Sequence, residues 1–260
     1  MKTSMGFTDW NANLYDDKHS FVFKYGEDLV DLLKPEVNER ILDLGCGTGY
    51  LTSLIDSKGA NVTGIDNSIE MIAKAKTEYP QLNFQVQSAT SFQFDEQFDA
   101  IFSNAVLHWI SEKEKVVELI NRHLKKNGRF VFEMGGRHNV EKIIYALQKN
   151  LVKRGYWENA EISLWYFPSL GEYASLLESK GFRVIYAILY DRETKLNDNQ
   201  DGIKDWIKMF CSSYLNGIRE ETVTEILDEV QKLLEPTNFR NGSWYADYKR
   251  LRMVALKQRY

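Results

Sequence analysis

Two kinds of segment alternate along the first half of the chain, and that alternation restricts the fold more than any single residue does. "RILDL" (40–44), "NVTGI" (61–65), "NFQVQ" (83–87), "FDAIFS" (98–103) and "RFVFEM" (129–134) are short β-branched or aromatic runs ended by polar or glycine residues. They read as buried strands. Between them lie helical patterns, "SIEMIAKAKTEY" (68–79) and "SEKEKVVELINRHLKKNG" (111–128), the second with Ser111 and Glu114 placed as a capping box and Gly128 as a stop. Strand, helix, strand, repeated, predicts an α/β fold with a parallel sheet covered on both faces and right-handed crossovers. "FRVIYAILY" (182–190) reads as a sixth strand and "WYADYKRLRMVAL" (244–256) as a last one.

Composition narrows the function classes. A chain of 260 residues, 43% hydrophobic and 27% charged, can bury one large core or a core with a cap. A net charge of −4 gives no basic face of the kind that holds phosphate backbones, so nucleic acid is not an expected partner. No run approaches the roughly 18 apolar residues of a membrane span and the N-terminus lacks a signal-peptide core, so a cytoplasmic protein is expected. Cys46 and Cys211 are too few for a disulfide framework and are expected as reduced thiols. His19, His108, His123 and His138 show no metal-ligand spacing, so the reaction is expected to need no metal.

Ligands of such sheets bind beyond the carboxyl ends of the strands. There the stretch "ILDLGCGTGY" (41–50) places Gly45, Gly47 and Gly49 between a strand and a helix, where the backbone can turn tightly, take positive φ and lie against a ligand. Asp66 closes the next strand within ~20 residues, the place of an acid that meets ribose hydroxyls. A nicotinamide or flavin site wants G-x-G-x-x-G, and Tyr50 stands where its third glycine belongs, which disfavours a dinucleotide-dependent oxidoreductase.

The G-x-G-x-G spacing with Asp43 two residues ahead instead resembles the first motif of the class I S-adenosylmethionine-dependent methyltransferases. The similarity runs over about residues 35 to 135. "GIDNSIEM" resembles the second motif, implying that Asp66 binds the ribose diol and that Asn67 and Met71 flank the adenine. The third strand of the family commonly ends in an Asp-Ala pair; here "QSAT" puts Ser88 in the acid's place, followed by Ala89 and Thr90. A hydroxyl accepts the same hydrogen bond less strongly than a carboxylate. "SNAVLHW" (103–109) resembles the segment where Asn104 and Ala105 line the methionine portion, with Trp109 beside them. Tyr15, Cys46 and Gly49 complete the implied cofactor contacts. The implied fold is Rossmann-like: a seven-stranded, mostly parallel sheet whose last strand inserts antiparallel beside the fifth, plus a helical lid. "WNANLY", "SNAVLHW" and "FPSLGEYASLLESKGF" place the chain near trans-aconitate methyltransferase and its small-molecule relatives, with malonyl-carrier-protein methyltransferase as a competing likeness.

The expected organisation is an N-terminal cap segment and helix over 1–38, an S-adenosylmethionine-binding domain over 39–197 and 240–260, and a helical insertion over 198–239. In the insertion Ile203, Trp206, Ile207, Phe210 and Tyr214 share one helical face, and Val223, Ile226, Leu227, Val230 and Leu234 another, with Thr222 and Glu225 as a capping box. If the sixth strand is parallel, these helices emerge over the active site as a lid. Candidate acceptor contacts are Trp10, His19, Glu133, Arg137, Trp206 and Phe210, and Arg250 and Arg252 share one face of the last strand. A carboxylate acceptor needs no base, being ionised at neutral pH. An alcohol, phenol or amine would need one, and His108 is the candidate, with a positioning hydrogen bond to the cofactor or to Trp109 as its alternative role. The expected activity is methyl transfer to a small molecule, such as carboxyl O-methylation of an organic acid, by a monomer or homodimer. The alternatives are a regulator that binds the cofactor without transferring, and O- or N-methylation of another metabolite or a carrier-bound acyl group.

Overall fold

The structure is a computed structural model and describes residues 26–197 and 200–258. Helix α1 occupies 26–33 and buries Leu29, Val30 and Leu33. There follow β1 (Arg40–Leu44), α2 (Tyr50–Asp56), β2 (Asn61–Asp66), α3 (Ile69–Glu78), β3 (Asn83–Val86), β4 (Phe98–Asn104), α4 (Lys113–His123) and β5 (Leu124–Gly135). Next are α5 (Glu141–Lys153), α6 (Trp157–Ala160), α7 (Leu170–Ser179), β6 (Phe182–Asp191) and β7 (Thr194–Lys195). The chain closes with α8 (Gly202–Phe210), α9 (Ser212–Leu215), α10 (Glu220–Asn238), β8 (Phe239–Arg240), β9 (Ser243–Ala246) and β10 (Lys249–Lys257). Seven strands form one sheet in the order β3-β2-β1-β4-β5-β10-β6. β10 alone runs antiparallel, to β5 on one side and β6 on the other.

Alternate residues of each strand serve opposite layers, as the period of a strand requires. Ile41, Val62, Ala100, Phe102 and Val131 pack with α1 and α2, while Leu42, Leu44, Ile101, Phe130 and Phe132 pack with Val116, Val117 and Ile120 of α4 and Tyr173 and Leu177 of α7. The ends of β1, β2 and β4 therefore face one edge of the sheet, where β1 reverses order between β2 and β4. A second core gathers α5, α8, α10 and the small sheet β7-β9-β8 around Leu147, Trp206, Ile207, Leu227, Val230 and Trp244. This layer reaches beyond 198–239, because α5, α6 and the small sheet share its interior.

Several local expectations are corrected. α4 begins after Glu112 with no side-chain cap, so Ser111 and Glu114 form no capping box. Its last carbonyls need no glycine stop: Lys257 Nζ donates to Asn121 O and Leu124 O from β10, and Gly128 lies inside β5. Likewise α10 starts after Arg219, placing Thr222 within its first turn rather than at a cap. The expected last strand is two, since the chain leaves the small sheet at Ala246 and enters the large one at Lys249. Asp247 holds that crossing, with Val140 N donating to its carbonyl and Lys142 N to its carboxylate.

Candidate active site

The turn after β1 assigns its three glycines different tasks. All have positive φ, +78° at Gly45, +56° at Gly47 and +88° at Gly49. A Cβ on Gly45 would stand 2.2 Å from Val106 Cγ2, and one on Gly49 would stand 2.6 Å from Phe84 Cζ. Gly47 has nothing within 4 Å of a Cβ and lines the cavity. The turn is anchored to β2: Gly45 N and Cys46 N both donate to Ile65 O, and Gly47 N donates to Asp66 Oδ2 at 3.1 Å. Asp66 Oδ1 accepts from Ser68 N, which fixes the carboxylate at the cavity wall. Burial raises its pKa against these amide donors.

Beyond β3, Ser88 and Thr90 share a 2.9 Å hydroxyl contact and Thr90 N donates to Ser88 Oγ. Ser88, Ala89 and Thr90 line the cavity together with Asn67 and Met71. At the end of β4, Ala105 takes φ +61° while its N–H reaches Glu133 O. Val140, at the start of α5, takes φ +51°. Both are non-glycine residues in the left-handed region and both line the cavity, where strained backbone is found at ligand sites more often than elsewhere.

The cavity, about 420 Å³, continues from this strand-end half into the second layer. There it is walled by Trp109, Trp165, Phe167, Trp206, Phe210 and Tyr248, and by two guanidiniums, Arg192 and Arg250. Both guanidiniums share one carboxylate. Glu133, fully buried, pairs with Arg192 Nη1 at 2.7 Å, Arg250 Nε at 3.3 Å and Arg252 Nε at 2.8 Å, and accepts from the Tyr190 hydroxyl at 2.8 Å. Burial works to raise the Glu133 pKa, but the Arg250, Arg192 and Arg252 charges and the Tyr190 hydroxyl outweigh it and hold it below the carboxylate range. Three cations around one anion leave this corner positive.

His108 is 6% exposed and stands in the 3₁₀ turn Leu107–Trp109. Burial, then the Arg250 charge, holds it well below its ordinary pKa, so it is neutral. Its Nδ1 accepts from Gly135 N at 3.2 Å, which leaves the proton on Nε2. Such a ring donates one hydrogen bond and has no lone pair left to take a proton. Of the two expected roles, base or positioning group, this arrangement suits a positioning donor.

Of the expected contacts, Gly45, Gly47, Asp66, Asn67, Met71, Ser88, Ala89, Thr90, Asn104, Ala105, His108, Trp109, Trp206 and Phe210 meet around this one cavity. Asp43, Cys46 and Gly49 stand behind it: Asp43 is buried and accepts from Thr52 Oγ1 at 2.7 Å, and Cys46 packs with Ile72 and Phe84. Glu133 is not in the lining; it stands behind Arg192 and Arg250, with which it pairs, and Arg137 is half-exposed on Glu172. Trp10, Tyr15 and His19 lie outside the described residues. Arg192, Trp165, Phe167 and Tyr248 were not expected. Arg192 had a findable signal, the position just beyond a strand end, whereas Trp165 and Phe167 lie in an irregular segment without periodicity.

The residues present fit a nucleoside-bearing cofactor, since Gly47 leaves an open cradle where any Cβ would intrude and a fixed carboxylate stands beside it. Residues 42–132 match the family model described as a methyltransferase domain. An uncharacterized methyltransferase of Schizosaccharomyces pombe is 32% identical over 260 residues, 96% of this chain and 98% of its own. Trans-aconitate 2-methyltransferase of Enterobacter sp. is 26% identical over 257 residues, 96% of this chain and 99% of its own. Phosphoethanolamine N-methyltransferase 2 of Haemonchus contortus, solved in complex with S-adenosyl-L-methionine, superposes with a TM-score of 0.61 at 17% identity over 97% of this chain and 58% of that one. With the sheet order, the glycine turn and the match over nearly its whole length, the chain belongs to the class I S-adenosylmethionine-dependent methyltransferases.

Proposed function

We propose that this methyltransferase esterifies a carboxylate of a small organic acid. The observation that carries the reading is the pair of guanidiniums, Arg192 and Arg250, lining the cavity while a single glutamate serves three arginines. A planar fork suits a carboxylate's two oxygens better than any neutral acceptor. S-adenosylmethionine supplies a methyl group on a cationic sulfur, which an acceptor oxygen takes as the carbon–sulfur electron pair returns to sulfur. In this reading Gly45, Gly47, Asp66, Asn67, Met71 and Ser88 hold the cofactor, and Asn104 and Ala105 border its methionine end. Arg192 and Arg250 orient the acid, and the His108 Nε2–H donates to an acceptor oxygen.

No base is required, because the acid arrives ionised, and positioning with exclusion of water supplies the rate. The change in charge also favours turnover. A carboxylate that matches the arginine corner becomes a neutral ester that does not, so product binds more weakly than substrate. Trans-aconitate 2-methyltransferase among the relatives points the same way. Trp206 and Phe210, which α8 presents to the cavity, support 198–239 as part of a lid over the acceptor.

The test is transfer of labelled methyl to a panel of acids, amines and phenols, followed by mild alkali. Methanol-releasable label on acids alone is expected. Alkali-stable label on an amine or phenol would overturn the proposal.

A further inference from the structure

Resting on the carboxylate reading, we infer that the acceptor carries one carboxylate on a flat apolar body, an aryl or conjugated acid, and is not a polyacid. Two features of the cavity point there. Its acceptor half is an aromatic wall: Trp165 meets Trp109 edge-on at 5.3 Å, stacks with Phe167 at 5.6 Å with 17° between planes, and reaches Trp206 at 6.4 Å. The indole N–H of Trp206 is engaged by the Tyr248 hydroxyl at 2.7 Å, so that ring offers its apolar face. The wall is also fixed in place, because Tyr166 N donates to His108 O and Arg137 N to Pro168 O, tying the irregular segment to the 3₁₀ turn and to the exit of β5. Preformed flat surfaces favour rigid flat ligands, which lose little freedom on binding.

The second feature is the number and place of the charges. Among the described residues the cationic side chains in the lining are Arg192 and Arg250, which come from adjacent chain segments and both pair with Glu133, so their guanidiniums lie together in one corner of the cavity. Acidic lining residues are Asp66 and Glu112. Among the described lining residues a second or third carboxylate on the acceptor would find no further cationic side chain as counter-charge for its burial.

The experiment measures initial rates of labelled methyl transfer by the full-length protein to cinnamate, trans-aconitate, cinnamamide and phenethylamine. Cinnamate is expected to exceed trans-aconitate at least tenfold in kcat/KM, with cinnamamide and phenethylamine inert. Trp165→Leu, or Phe210→Leu if the first does not fold, should raise KM for cinnamate at least fivefold with S-adenosylhomocysteine affinity unchanged. Equal or faster methylation of trans-aconitate would overturn this inference and leave the carboxylate reading standing. Methylation of the amine alone, or of neither acid by protein that binds S-adenosylhomocysteine, would overturn both.

Discussion

Gly47 and Gly45 are two residues apart and both have positive φ, yet their substitution has different consequences. At Gly47 a side chain meets open space, so Gly47→Val costs the left-handed conformation, about 1–2 kcal/mol, and little packing. Its methyls would stand in the cavity. The expected result is a folded protein with S-adenosylhomocysteine affinity reduced at least a hundredfold, read by calorimetric titration beside a urea melt. At Gly45 the new Cβ collides with Val106, so even Gly45→Ala should lower the melt itself, by about 1–3 kcal/mol of overpacking in addition to backbone strain. Asp43, behind the turn, gives a pH signature. Burial, opposed by the Thr52 hydroxyl and assisted by the Asp66 charge, raises its pKa to about 7. The folded chain then keeps a proton that the unfolded chain has released, so stability falls as pH climbs from about 4 to about 7 and levels above it, by on the order of 4 kcal/mol. Asp43→Asn, whose amide oxygen still accepts from Thr52, should remove that fall. It is expected to be more stable than the parent at pH 8 and to differ much less at pH 5, and an equal gain at both would show that the Asp43 charge is not its source.

At the scale of elements, Glu133 is the tie between β5, β10 and the exit of β6. It faces Arg252 across the β5–β10 pairing, and Arg192 follows β6 directly. Replacing it with Gln leaves three guanidiniums without their anion, and removal of one member of a buried ionic group typically costs 3–5 kcal/mol. Glu133→Gln should therefore unfold at lower urea, and the loss should shrink in sulfate more than the parent's own response to that salt. A parent-like midpoint would show that the pairing adds nothing. The same network shows what was legible in the sequence. β1 to β6 could be read because their signals are local: apolar runs, turn residues and the glycine spacing all lie within a few positions. The acceptor end could not, since Arg192 is 59 positions from Glu133 and Arg250 117 away, distances that only the insertion of β10 closes. The misplaced helix ends have a similar cause. Lys257 Nζ satisfies the end of α4 from 133 and 136 positions away, which makes a local stop signal unnecessary and a local reading wrong.

Across the whole molecule, two cores meet over one cavity. The sheet layers supply the strand-end half, and the second core supplies α8 and the aromatic wall, so a ligand that touches both halves ties the two cores together. Stability should then rise by steps. S-adenosylhomocysteine at a hundredfold excess over its Kd adds about 2.7 kcal/mol, which for a chain of this size raises Tm by about 5–10 °C. An acid acceptor should add a further shift, larger with S-adenosylhomocysteine present than without it, because the bound cofactor then forms part of the surface the acid meets. Arg250→Lys separates the two contributions: it keeps a charge beside Glu133 but loses the planar fork, so the acid's increment should disappear while that of S-adenosylhomocysteine remains. Thermal melts of the two proteins with each ligand alone and with both decide the matter. Loss of both increments would make Arg250 a support of the fold, and survival of both would move the acid away from the β10 arginine.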